Sequence, residues 1–291
     1  MKSLPMTVLF YDGPQARAYL AGLRRAGYRP ERVLRLVSSL HPSTQKPLGR
    51  WLPQRWRVRY AEKAGEFALN YWPRQIRSRH PELVATMGNA LREVYAEAPE
   101  LIDEILSGFD VSRYTADVRR VFARGLDDPA LAQALADVSP TTVLYTGGGI
   151  LRDNLLGLPD IRFLHVHPGF LPDVRGADGL LWSTLVRGRP GASSFYMGRG
   201  IDTGEIISAK DYPFLSFDIA GQSRPADKTL YRALFSFCDP ILRTAHLVRE
   251  TLKDDSDLSQ LPGEVQPPHG LTYHFMHPRL QETALRAIFR S

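Results

Sequence analysis

From residue 6 the chain sets up a repeat of strand and helix patterns. MTVLFY (6–11) alternates and is rich in strand formers. Asp12-Gly13-Pro14 turns the chain, and an apolar pattern from Ala18 to Leu23 ends at Gly27. RVLRLV (32–37) predicts a second strand, so the first 37 residues form a strand, helix, strand unit of a parallel sheet. From about 40 to 115 the strand patterns vanish. Helical patterns take over around 55–70, 82–96 and 99–107, punctuated by Pro53, Pro73, Pro81 and Pro99. This region is expected to be a helical insertion into a sheet domain. RRVF (119–122), TTVLYT (141–146) and IRFLHVH (161–167) then resume the sheet, with a helix from Pro129 to about Val138. The glycine run Gly147-Gly148-Gly149 leads into a short helix, ILRDNLL. A helix around 178–187, strands near 192–198 and 205–211, a helix over 225–253 interrupted near Asp239-Pro240, and an amphipathic helix at 279–290 complete the reading. The expected fold class is α/β: a mostly parallel sheet with helices on both faces, a helical insertion and a C-terminal extension. Residues 1–215 are read as the catalytic domain and 216–291 as a long helix and extension packing on it.

Composition adds limits more than identity. At 291 residues, 43% hydrophobic and 23% charged, the chain can bury a large core. No apolar run approaches the roughly 18 residues a membrane span needs, so no membrane partner and a cytoplasmic location are expected. The single cysteine, Cys238, sits in the apolar run LFSFCDPIL and is read as a buried structural thiol. A net charge of +6 favours anionic partners. Arg50, Arg55, Arg57, Arg59 and Lys63 lie beside Trp51, Trp56 and Tyr60, a composition that suits nucleic acid. The simpler expectation is a solvated helix face whose aromatics pack inward, and nucleic acid is not expected as a partner. Homo-oligomerisation is left open, with the insertion and the tail as interface material.

The chemistry concentrates in 141–211. His165 and His167 stand two apart at the carboxyl end of their strand, so both project to one face, at the end of an open α/β sheet where ligands bind. Pro168-Gly169 follows at once. Downstream, Asp202 sits between Gly200 and Gly204 in a loop joining two strands, which by itself reads as a turn aspartate. The first turn, Asp12-Gly13, is not a GxGxxG phosphate loop, so a dinucleotide site there has little support.

The combined stretch HVHPGFLPDVRGADGLLWSTLVRGRPGASSFYMGRGIDTGEII (165–207), preceded by VLYTGGGIL, resembles the signature of the 10-formyltetrahydrofolate-dependent formyltransferases, which act on glycinamide ribonucleotide, methionyl-tRNA or amino sugars. The resemblance covers about 200 residues, with sharp motifs only in 142–207. It implies a Rossmann-like formyltransferase scaffold and transfer of formyl from 10-formyltetrahydrofolate to an amine or hydroxylamine of a small-molecule acceptor. His167 matches the family's catalytic histidine and Asp202 its aspartate. Such a pair suits the reaction, because the attacking amine must shed a proton and a carboxylate can orient and stabilise the charged imidazole. The loops 147–151 and 198–202 are implied to enclose the pterin, with Gly147, Gly148, Gly149, Ile150, Leu151, Arg199, Gly200 and Ile201 as binding residues.

Two positions depart from the family pattern. His165 stands where the family has an asparagine that donates to the formyl oxygen. A neutral imidazole still offers one N–H for that role, and the two histidines should titrate as a pair with one neutral. Gly169 replaces a common serine and is expected to open space beside His167. His165, His167 and Asp202 or Asp173 also have the composition of a two-histidine, one-carboxylate metal site, although the main reading needs no metal. An alternative is therefore hydrolysis of formyltetrahydrofolate, or another C1 or carbamoyl transfer, with or without a metal. A second alternative is a non-enzymatic binding protein on the same scaffold. Phe170, Leu171 and Pro172 are read as a pocket wall or as core. Arg175-Gly176 reaches an anionic acceptor or makes a salt bridge in a turn, and Asn154 makes a helix-surface contact. The tail QPPHGLTYHFMHP, with His269, His274 and His277, covers the core as strand or loop.

Overall fold

Apolar runs bounded by turn residues become seven strands of one sheet in the computed structural model, which describes residues 1–252, 261–267 and 269–290. Residue 253, the expected end of the long helix, and Pro268 within the tail motif lie outside the described residues. The strands β1 (Lys2–Phe10), β2 (Tyr28–Ser38), β3 (Asp117–Ala123), β4 (Thr141–Tyr145) and β5 (Ile161–His167) are mutually parallel. The sheet continues through β7 (Gly191–Tyr196) and β8 (Ile206–Asp211), in the order β3-β2-β1-β4-β5-β7-β8. β7 runs antiparallel to both β5 and β8. Succession runs outward from β1 through β2 to β3, and the other way from β4 through β5. The order therefore reverses between β1 and β4, the place where open α/β sheets carry ligands at the carboxyl ends of their strands.

The central strands are apolar on both sides because helices cover both faces. Val8, Phe10, Leu144, Leu164 and Val166 join the larger core, shared with α1 (Pro14–Arg25). Leu9, Leu34, Val143, Tyr145 and Phe163 join the smaller one, with α6 (Pro129–Ala136) and α7 (Asp153–Leu156). The helices α2 (Gln54–Leu69), α3 (Tyr71–Arg79), α4 (Pro81–Ala90) and α5 (Ala98–Leu106) fill the expected insertion. Leu83, Val84, Met87, Leu101 and Ile102 place α4 and α5 in the larger core itself. α3 arises although Pro73 interrupts the pattern, because a proline in the first turn of a helix lacks only an N–H that has no intrahelical partner.

α2 corrects the expectation for the aromatic run. Its inward side is small or acidic: Ala61 is buried, Glu62 pairs with Arg120 and Arg35, and Glu66 pairs with Arg17 and Arg74. The aromatics therefore face out, with Trp51 80%, Trp56 49% and Tyr60 47% exposed. Arg55 and Arg59 each lie 5.7 Å from the Trp56 ring.

After α8 (Gly179–Arg187), one long helical run comprises α9 (Asp227–Ala233), a π-helical turn at Leu234–Cys238, α10 (Asp239–His246) and a second π-helical turn at Leu247–Thr251. The interruption expected at Asp239-Pro240 takes the form of that first wider turn. Pro240 has no N–H and its ring crowds the carbonyl four residues back, and widening the turn absorbs both without ending the helix. Cys238 is 1% exposed, and burial pushes its thiol pKa up, as befits a structural residue. β6 (Val174–Gly176), β9 (Phe217–Asp218), β10 (Leu271–Tyr273) and β11 (Phe289–Arg290) form two short parallel pairs, β6 with β10 and β9 with β11, around α11 (Pro278–Ile288). Among the described residues no helix is long and apolar enough to cross a membrane.

Candidate functional site

β5 ends as the sequence predicts, with His165 and His167 on one side of the strand and a sharp Pro168-Gly169 bend after them. His167 is 3% exposed. Its Nε2 lies 3.0 Å from the Val174 carbonyl, so this nitrogen donates, and Nδ1 lies 3.3 Å from Oδ2 of Asp202. Burial holds the imidazole pKa below its ordinary value, while the Asp202 carboxylate pulls the other way. Asp202 occupies a left-handed turn (φ 53°), a conformation aspartate tolerates better than most residues. Its Oδ2 accepts the Gly176 N–H at 2.8 Å.

The packing around His167 overturns the expectation of open space at Gly169. A Cβ there would lie 2.6 Å from His167 Nε2 and 2.8 Å from the Val174 oxygen, and one at Gly179 would lie 2.9 Å from the same Nε2. Both glycines are needed because the ring fills the space a side chain would take. Leu171 is buried and Phe170 lies under the Arg187 guanidinium, so these two are packing residues. Among the described residues Arg175 makes no ion pair. It donates through Nε and Nη2 to Gln266 Oε1, and Gln266 Nε2 donates to the Asp202 carbonyl at 2.9 Å, so this arginine braces the aspartate loop. Asn154 makes the expected surface contact, donating to the Leu126 carbonyl.

His165 has both ring nitrogens engaged. Nδ1 donates to the Tyr145 carbonyl at 3.1 Å, and Nε2 accepts from Arg243 Nη2 at 3.4 Å. Burial, then the Arg243 charge, lower its pKa to about 3. His165 is thus neutral. Its single N–H is held by a backbone carbonyl, which removes it as the donor the sequence expects for the formyl oxygen.

Arg243 belongs to a cluster that sequence reasoning missed. It stands on α10 one turn after Asp239, with Nη1 3.5 Å from Asp239 Oδ2, and Tyr19 of α1 lies beside it. The sequence signal is faint: charged residues four apart on an apolar helix normally mark a solvated face, whereas these are 6% and 8% exposed.

The glycine loop after β4 lies between two recesses. A cleft at the reversal point is lined by Leu9, Tyr11, Leu36, Tyr145, Gly147 and Gly148. An open groove runs on the other side past Leu151 to Arg199 and Gly200. Tyr145 Oη donates to the Gly148 carbonyl, Gly149 has φ 110°, Ile150 and Ile201 are exposed, and Arg199 bridges to Asp153. A metal reading would bring a carboxylate to both histidines. Asp173 is instead paired with Arg187, and among the described residues no three His, Cys, Asp or Glu side chains converge.

No protein-family model matches the chain. It is 37% identical over 92 residues to a methionyl-tRNA formyltransferase of Syntrophus aciditrophicus (strain SB), covering 31% of this chain and 29% of that protein. A methionyl-tRNA formyltransferase of Clavibacter sepedonicus is 35% identical over 97 residues, covering 33% and 32%. The chain spans about a third of the length of these relatives. Among solved structures it is similar to a 4-N formyltransferase from Francisella tularensis, at 10% identity over 98% of this chain and 87% of that one, with a TM-score of 0.42, too low to carry weight. Over about 90 residues, then, the chain is similar to methionyl-tRNA formyltransferases.

Proposed function

We propose that this protein transfers a formyl group from 10-formyltetrahydrofolate to the amine of a small-molecule acceptor. The observation that carries this reading is the His167–Asp202 pair at the end of β5, 3.3 Å apart and braced by the Gly176 N–H. The amine nitrogen bonds to the formyl carbon while the bond from that carbon to N10 of the folate breaks. The amine loses a proton and N10 gains one. The pair serves as the relay: a proton taken up at Nδ1 is stabilised by the adjoining carboxylate, while Nε2 stays fixed on Val174. The pterin is assigned to the recesses beside Gly147, Gly148, Gly149, Ile150 and Leu151, with Arg199, Gly200 and Ile201 on the far rim. His165 acts as a positioning residue for Arg243.

Calorimetric titration with tetrahydrofolate and 5-formyltetrahydrofolate tests the folate site. Saturable binding that weakens in Gly148→Phe is expected, since nothing lies within 4 Å of a Cβ at that position and the variant should fold. No binding of either folate sinks the reading. Release of tetrahydrofolate from the formyl donor without any amine would instead mark water as the acceptor.

A further inference from the structure

Past the ends of β2 and β3 lies a recess that the catalytic reading leaves unused. Arg50, Arg57, Arg124 and Asp128 line it, together with Ser39 and Phe122. The arginines come from three places: the loop before α2, α2 itself and the turn after β3. That loop is pinned to the sheet. The Ser39 N–H donates to the Ala123 carbonyl at 2.8 Å, and the Leu48 N–H donates to the Ser39 carbonyl at 2.8 Å. Gly49 takes a left-handed φ of 55°, and a Cβ there would lie 3.1 Å from the Tyr60 ring and 3.4 Å from Arg57 Cγ, so the backbone beside Arg50 packs directly on α2. Arg57 is fixed as well. Its Nε donates to the Leu48 carbonyl at 3.0 Å, and its guanidinium lies 5.3 Å from the centre of the Phe122 ring.

Three guanidiniums thus share the recess with one carboxylate, and that carboxylate is occupied elsewhere. Asp128 Oδ1 accepts the Ala130 N–H at 3.0 Å and Oδ2 accepts the Arg124 N–H at 2.8 Å, so the acid serves as the cap of α6. Among the described residues the side chains of Arg50 and Arg124 make no ion pair or hydrogen bond, and Arg57 makes none through its Nη nitrogens. Like charges gathered in one recess attract an anion, and the planar fork of arginine matches carboxylate and phosphate with two parallel hydrogen bonds. The recess sits at the carboxyl ends of its strands, where open α/β sheets carry ligands. Arg124 also lines the cleft at the reversal point, so the two hollows meet at that side chain. The cleft itself is mostly apolar, with Leu9, Leu36, Leu126 and Tyr11 in the same lining as Gly147 and Gly148. We propose that the recess is an anion site for the far end of a ligand whose rings lie in the cleft, and that this end is the run of carboxylates on γ-linked glutamates of the folate. The ligand's identity rests on the formyl-transfer reading, which puts the pterin beside the same glycine loop. A phosphate on the acceptor would offer the recess the same paired hydrogen bonds, and the experiment separates the two sources.

The test is calorimetry on the full chain with 5-formyltetrahydrofolate carrying either one glutamate or three γ-linked glutamates, and separately with inorganic pyrophosphate. Two or three exposed charge pairs should make the triglutamate bind about tenfold tighter at low salt, with the advantage shrinking as salt is raised. Arg50→Gln combined with Arg124→Gln should remove most of that advantage and leave the monoglutamate affinity unchanged. Both side chains are exposed, so the variant should fold. Arg79→Gln, which removes an exposed cation of α3 outside the recess, should keep the full advantage. Equal binding of the two folates overturns the glutamate assignment, and so does an advantage that Arg79→Gln reduces as much as the double variant does. Pyrophosphate that binds the parent but not the double variant, with no triglutamate advantage, would mark phosphate as the ligand of the recess. Pyrophosphate binding to neither, again with no advantage, removes the anion site altogether. Failure of both folates to bind is a separate result, which sinks the formyl-transfer reading while pyrophosphate still reports on the recess.

Discussion

Two polar groupings lie within reach of the same strand end, and they are built in opposite ways. Around His167 the contacts are closed: each ring nitrogen meets an oxygen, Asp202 is tied to Gly176, and glycines 169 and 179 leave the ring no alternative position. Around Arg243 the contacts are open, with long bonds and unpaired atoms in a tight helix interface. The first arrangement fixes a geometry in advance, which is what proton transfer needs. The second is a buried ion pair held by long contacts, and one arginine joins it to His165.

The largest effect expected from breaking this contrast is on the closed side. His167→Ala should lower formyl transfer on the order of 1,000-fold, read as tetrahydrofolate formed per minute, with folate affinity unchanged. Activity within a few-fold of the parent would show that the pair is structural. Next comes Gly169→Ala, whose Cβ would overlap the imidazole and the Val174 oxygen; about 2 kcal/mol of stability should be lost, measured by urea unfolding. An unchanged midpoint would mean the ring is less confined than its contacts indicate.

A pH series sharpens the comparison further. Half-buried His165 and buried His246 have pKa values lowered to about 3 and about 4 in the folded chain, against about 6.5 unfolded. The unfolded chain therefore takes up protons first on acidification. Stability from these groups is full above about pH 6.5 and falls as pH drops toward 4 and then 3. Tm should decline below pH 6.5, and His165→Asn should flatten part of that decline; a variant with the parental slope would contradict a neutral His165. The smallest effect is expected on the open side. Tyr19→Phe removes a buried hydroxyl beside Arg243 and should lower stability by about 1 kcal/mol, by the same unfolding assay. An unchanged midpoint would show that the hydroxyl adds nothing to the buried pair.

The sheet and the closed site were legible from sequence because they are local. β5 is a single apolar run with two histidines at period two, whereas Asp202 by itself reads as a turn aspartate and is singled out only by the resemblance of the whole 165–207 stretch. The rest depends on distance or on a choice of face. β6 is three residues long and exists because β10 pairs with it from nearly a hundred residues away. Arg243 and Asp239 reach the site from a helix whose pattern reads only as apolar with a few charges. Trp56 and Tyr60 were expected to pack inward, but the face of α2 that meets β2 is set by Ala61 and by acids already matched to Arg17 and Arg35. Hydrophobicity alone does not reveal which side of a helix its neighbours have charged.

The pairing of β6 with β10 has one more consequence, in the order of events during synthesis. Gly176, whose N–H holds Asp202, lies opposite Tyr273, and Gln266 grips the aspartate loop from the same tail. His167 and Asp202 both leave the ribosome well before either support exists. A nascent chain can fold its sheet before these contacts exist, so the Asp202 loop gains its brace only when the tail has been made and has docked.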